Sequence, residues 1–186
     1  MNETLTVIKD RRSIRKYKPE QIGDKELEAI MEAAIYAPSA MNQQKWHFTV
    51  IQNREKVEQL ARTARELLLK SPVPFFRERA QNPEFNVFHH APTVVIITAD
   101  EQAYVVEFDC GAAAENIALA AQSLGINSCI IGMSSVLFEG ENAGELKKEL
   151  GIPENYKFVI SIALGYKDME TPPTPPKKKE NINYIK

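Results

Sequence analysis

The residues with the most chemistry in them are Arg11-Arg12-Ser13-Ile14-Arg15. Between Lys9 and Lys18 the chain also carries Lys16, while Asp10 is the one acid. The whole chain is slightly acidic by contrast, with Lys+Arg 23 against Asp+Glu 25 and a net charge of -2. Cations this closely spaced repel one another unless an anion or an acidic surface sits among them. A guanidinium is a planar fork of donors that fits phosphate or carboxylate, and a serine hydroxyl adds a short-range donor. Two readings follow: a solvated charged face, or an anion site. A second basic run, Lys177-Lys178-Lys179, closes a proline-rich tail at the other end of the chain.

Other candidates are weaker one by one. The stretch from Ala37 to Trp46 reads as a loop of small and amide side chains, whose Ser39, Asn42 and Gln44 suit capping and turn bonds. A polar loop between an apolar helix and a strand also suits a polar ligand. Gly132, at the end of the apolar run from Ser128, permits close approach to the backbone. His89-His90 has no cysteine or carboxylate at a ligand spacing, so no metal is expected. No side chain stands out as an acid-base catalyst. Dinucleotide, P-loop and nucleophile-elbow patterns are all lacking.

The elements that must position these residues follow from periodicity. A short helix over 3–10 delivers the basic cluster at its C-terminal end, where the helix dipole favours cations. A second helix starts with Asp24 as N-cap, buries Leu27, Ile30, Met31, Ala34 and Ile35, and stops before Pro38. A strand is expected over 47–52 and an amphipathic helix over 54–69. Residues 71–90, with three prolines and four phenylalanines, read as a long irregular or partly helical excursion. Its aromatics are either core or part of a binding loop. Thr93 to Ala99 suits a central strand buried on both faces.

The longest helix is expected over 103–124, with Gly125 as its C′ residue. Its small side chains suit a crowded centre or a subunit contact, although high helix propensity also explains the alanines. Asp109, Glu115 and Asn116 on it are either buried polar groups needing partners or its wet face. A strand over 128–131, a helix over 143–150 and a strand over 157–164 complete the pattern. This is an α+β domain, a sheet flanked by helices. The tail reads by composition as an extended, solubilising segment.

At 186 residues, 44% hydrophobic and 26% charged, one ordinary globular domain is expected. No early apolar h-region and no membrane-length apolar run is present, and Cys110 and Cys129 make no disulfide framework. These features lead to the expectation of a reduced, cytoplasmic setting. The balanced charge argues against a general nucleic-acid binder.

Over nearly its full length the chain resembles the nitroreductase family of FMN-dependent oxidoreductases. Four segments match in order: Arg11 to Arg15, Ala37 to Phe48, Asp109 to Gly125 continuing to Gly132, and Gly165-Tyr166 followed by Pro176 to Lys179. The resemblance implies a mixed or antiparallel central sheet and an intertwined homodimer with flavin at the interface. Residues 1–170 would form the FMN-binding domain, and 171–186 an arm lying on the partner. Arg11 and Ser13, with Lys177 and Lys179, would hold the FMN phosphate, and Arg12 would assist. Arg15 would face the pyrimidine edge of the ring. Pro38, Ser39, Ala40 and Asn42 would line the flavin from the other subunit, and backbone groups of Ile131 and Gly132 would lie near N5.

The implied activity is a ping-pong hydride cycle in which NADH or NADPH is oxidised and a nitroaromatic, quinone or similar electron-poor acceptor is reduced. Rivals are a dehalogenation or desaturation on the same scaffold, or a non-enzymatic module binding a phosphorylated or acidic partner. The sequence departs from the family pattern at Lys45, where proline is frequent, and at Asn127, where glycine is frequent. Residues 71–90 match no family motif and face the substrate in many relatives.

Overall fold

The computed structural model describes residues 2–186. Four strands, β1 (Trp46–Ile51), β2 (Thr93–Asp100), β3 (Asn127–Ile131) and β4 (Tyr156–Gly165), form one sheet in the order β1-β2-β4-β3. All three pairings are antiparallel. A bulge between Ile97 and Thr98 leaves Val159 of β4 as the extra residue, which adds local twist.

The run of β-branched residues in β2 puts it at the centre, and alternate side chains enter two separate cores. Val94 and Ile96 pack with α3 (Arg54–Leu69) through Val57, Leu60 and Ala64. Val95, Ile97 and Ala99 pack with α2 (Asp24–Ile35) and α5 (Val106–Ser123). α5 lies against the sheet, and its Cys110, Ala113, Ile117, Ala118 and Ala121 are fully buried. Small side chains here bring two backbones close together, so the crowded-centre reading holds within one protomer.

Helix ends follow their chemistry. Asn53 caps α3 by accepting from the Lys56 N–H at 2.9 Å, and Asn2 caps α1 (Glu3–Asp10) by accepting from Leu5 at 3.0 Å. At α2 the N-cap is Gly23 rather than Asp24. Gly23 is the extended residue, so the Asp24 carboxylate acts in the first turn on the helix dipole. α5 ends in a Schellman arrangement: Ile126 N–H donates to Ala121 O at 2.9 Å and Gly125 N–H to Gln122 O at 3.2 Å.

Within the 71–90 excursion lies α4 (Pro74–Gln81), followed by turns that bury Val87 and Phe88. Of its aromatics, Phe88 is core and Phe75 is exposed. α6 (Ala143–Glu149) packs beside a 3-10 turn over Met133–Phe138. No helix is long and apolar enough to cross a membrane among the described residues. Gly125 holds φ +75° with nothing within 4 Å of an added Cβ. Gly125→Ala therefore tests backbone strain alone, and is expected to destabilise the fold by about 1 kcal/mol in urea unfolding.

Candidate functional site

The basic segment is laid along the end of the sheet. Ser13 bridges Ser128 in a parallel sense, and Ile14 N–H donates to Ser128 O at 3.0 Å. Lys18 N–H donates to Tyr166 O at 2.8 Å, and Tyr17 bridges Lys167. The buried Tyr17 hydroxyl donates to Ile14 O at 2.7 Å. Burial pushes the Tyr17 phenol far above its ordinary pKa, so this donor keeps its proton at any ordinary pH.

The three arginines have separate environments. Arg12 Nη1 donates to the carbonyls of Lys9 at 2.6 Å and Arg11 at 2.7 Å, tying the chain to itself. Arg11 Nε lies 3.3 Å from Glu115 Oε1, close enough to attract but aligned too poorly for a hydrogen bond. Nε of Arg11 and Nε of Arg12 are thus buried donors without a hydrogen-bond partner in the protomer, a costly state that an anion would relieve. Arg15 donates its backbone N–H to Met169 Sδ at 3.5 Å, while its side chain enters a cavity of about 190 Å³.

That cavity takes Cys129, Ile131, Gly132 and Met133 from the end of β3 and the turn after it. From the excursion it takes Arg79, Phe85, Val87 and His89. Burial, then the charges of Arg15 and Arg79, lower the His89 pKa from 6.5 to about 4, so its ring is neutral near pH 7. Burial pushes the Cys129 thiol up, and Cys110 up to about 12, so neither is a ready thiolate.

The loop from 37 to 45 stands apart from this cavity within one protomer. Ala40 N–H donates to both carboxylate oxygens of the buried Asp109 at 3.2 Å, and Gln44 N–H donates to Ser39 Oγ at 3.1 Å. Met41, Asn42 and Gln44 all hold φ near +50°, costly for residues with a Cβ. Lys45 pairs with Asp100 at 3.2 Å. Asn127 accepts from Lys167 N–H at 3.2 Å, fixing the chain just after β4. Both departures from the family pattern thus carry structural bonds.

Arg15, Ile131 and Gly132 therefore share one cavity, with Arg11, Arg12 and Ser13 on the same segment. Pro38, Ser39, Ala40 and Asn42 belong to the separate Asp109-bound loop. Lys177 and Lys179 sit on a tail exposed from Pro173 onward. Sequence reasoning missed Arg79 and His89. His90, also a surface residue, pairs with Glu58 at 3.0 Å, and no metal-holding cluster is present among the described residues. Asp109, Glu115 and Asn116 of α5 each have a partner: Asp109 the loop, Glu115 Arg11, and Asn116 the Ala33 carbonyl at 2.9 Å.

A family model described as the nitroreductase family matches residues 8–166. An FMN-bound nitroreductase structure from Bacteroides fragilis is 37% identical with a TM-score of 0.93, and one from Desulfitobacterium hafniense is 36% identical with 0.92; each comparison covers 100% of both chains. An FMN reductase [NAD(P)H] of Bacillus subtilis is 27% identical over 193 residues, covering 99% of this chain and 74% of the relative. The chain belongs to the nitroreductase family.

The His89 shift has a measurable consequence. An unfolded histidine takes up its proton near pH 6.5 and the folded one only near 4, so the unfolded state binds more protons between these values and stability falls as pH drops through that window. His89→Asn, which tolerates the left-handed backbone, is expected to make the slope of urea midpoint against pH shallower between 6.5 and 4.

Proposed function

We propose that this protein is an FMN-dependent oxidoreductase that oxidises NADH or NADPH and reduces nitroaromatic, quinone or similar electron-poor acceptors. The observation that carries the reading is a basic segment with two buried donors that make no hydrogen bond, running directly into a cavity that holds a third arginine beside a glycine backbone. The FMN bound to the family's solved relatives has a phosphate and a flat ring, and this donor set fits both. When bound, FMN supplies the centre that accepts and gives up hydride.

The chain's residues do the rest. Arg11, Arg12 and Ser13 hold the phosphate from one chain end, and Lys177 and Lys179 from the arm of a partner copy. Arg15 presents a fixed positive charge to the ring's pyrimidine edge, where reduction places negative charge. Gly132 has φ -87° and ordinary space around it, with Ile160 Cδ1 3.8 Å from an added Cβ, so neither backbone nor neighbours demand glycine. A ring lying against this backbone would. The loop residues Pro38, Ser39, Ala40 and Asn42 cover the ring of the partner's site.

A homodimer is supported by apolar side chains the protomer leaves uncovered. Tyr36, Tyr104 and Phe108 are each about three-quarters exposed, and Ile185 on the arm is 99% exposed. The arm, 171–186, lies on the partner in this reading, and the single domain ends at 170. The setting is cytoplasmic.

An absorbance spectrum of the purified protein, followed by NADH or NADPH titration under argon, tests the cofactor. A flavin spectrum that bleaches on titration, with parallel double-reciprocal lines at steady state, is expected. A protein that stays colourless after incubation with FMN contradicts the reading. Replacing Lys177 and Lys179 together by Gln should weaken FMN retention at least about tenfold, the loss of one or more charge-assisted bonds, with circular dichroism unchanged.

A further inference from the structure

Arg79 has no place in the roles above. It comes from α4, in the excursion that matches no family motif, and reaches the same cavity as Arg15. The residues lining that cavity include two guanidinium groups and no carboxylate. Most basic side chains on this slightly acidic protein that meet a partner meet an acid or a carbonyl. Arg11 meets Glu115, Lys16 meets Asp168, Lys147 meets Glu101 and Arg77 donates to Ser71 O. Among the described residues Arg79 has neither; its one neighbour of that kind is the Phe75 ring, 5.5 Å from the guanidinium carbon. That contact steadies the planar group without neutralising it.

We infer that Arg79 selects electron acceptors bearing a carboxylate, drawing an aromatic acid into the cavity beside the reducible centre. This rests on the oxidoreductase reading and deepens it by naming the substrate class. Arg15 is committed to the ring, which leaves Arg79 as the uncommitted positive charge on the opposite chain segment. Its fork matches a carboxylate in two parallel bonds. Phe85, Val87, Ile131 and Met133 supply the apolar walls an aromatic ring needs. His89, neutral near pH 7, offers one ring N–H as a donor without adding charge. The overall reaction balances as nitroarene plus NAD(P)H plus a proton giving nitrosoarene, NAD(P)+ and water.

Two readouts test this with the holoenzyme. The first is the ratio of kcat/KM for 4-nitrobenzoate to that for its methyl ester. Arg79→Gln is expected to lower that ratio about tenfold, as a lost charge-assisted bond would, chiefly through KM. Arg79→Lys should retain part of it. Glu78→Gln, a neighbouring exposed residue outside the cavity, alters net charge and should leave the ratio near wild type. The second readout needs no turnover: benzoate binding by calorimetry, weakened about tenfold by Arg79→Gln, with benzamide indifferent to the change. An unchanged ratio and unchanged benzoate affinity in Arg79→Gln overturn the inference while the oxidoreductase reading stands. A ratio raised by Glu78→Gln as much as Arg79→Gln lowers it also overturns it, since the effect is then general charge. Absence of turnover with either acceptor in the wild type removes the reading beneath and this inference with it.

Discussion

A carboxylate buried to 9% exposure holds this architecture to its purpose. Asp109 has lost most of its water, and the Ala40 N–H donating to both of its oxygens is what offsets that cost. The bond ties a strained loop to the first turn of α5. Two turns further along, Glu115 attracts Arg11 and Asn116 donates to the last part of α2. One helix, packed tightly on the sheet through its buried alanines, thus sets where the loop and the basic segment stand. Larger side chains would push α5 off the sheet and move both together.

The same helix explains why the cationic cluster is tolerable. Its arginines are sorted by partner. Arg12 is spent on backbone carbonyls, Arg11 is paired with Glu115, and Arg15 lines the cavity. Buried donors without acceptors remain on the first two. An anionic ligand would supply those acceptors, and the pairing with Glu115 holds Arg11 in place within the protomer.

Legibility tracked the range of the interaction that decides each feature. α3 was readable to the residue because its cap and its apolar spacing are both local. β2 was readable because its β-branched run suits burial on both faces. The Schellman end of α5 was readable from Gly125 alone. The composition of 71–90 points only to partial helix, although Pro74 at the first turn of α4 is a usable signal. Asp24 takes the first helical position instead of the cap because capping depends on which residue stays extended, a backbone choice the side chain does not announce. The basic motif could be found as a charge anomaly, and the family resemblance gave it a role. Arg79 and His89 could not be found this way, because only folding brings residues 79–89 against Gly132. The fate of Asp109, Glu115 and Asn116 likewise depended on partners dozens of residues away.

If basic side chains grip the phosphate of the cofactor, the apoprotein must discriminate between FMN and riboflavin, and a comparison of the two affinities measures that grip. Riboflavin carries the same ring without the phosphate. Two or more charge-assisted bonds of about 1.5–3 kcal/mol each predict on the order of a hundredfold or greater preference for FMN, shrinking as salt is raised. Equal affinities for the two flavins would mean that no such grip on the phosphate exists.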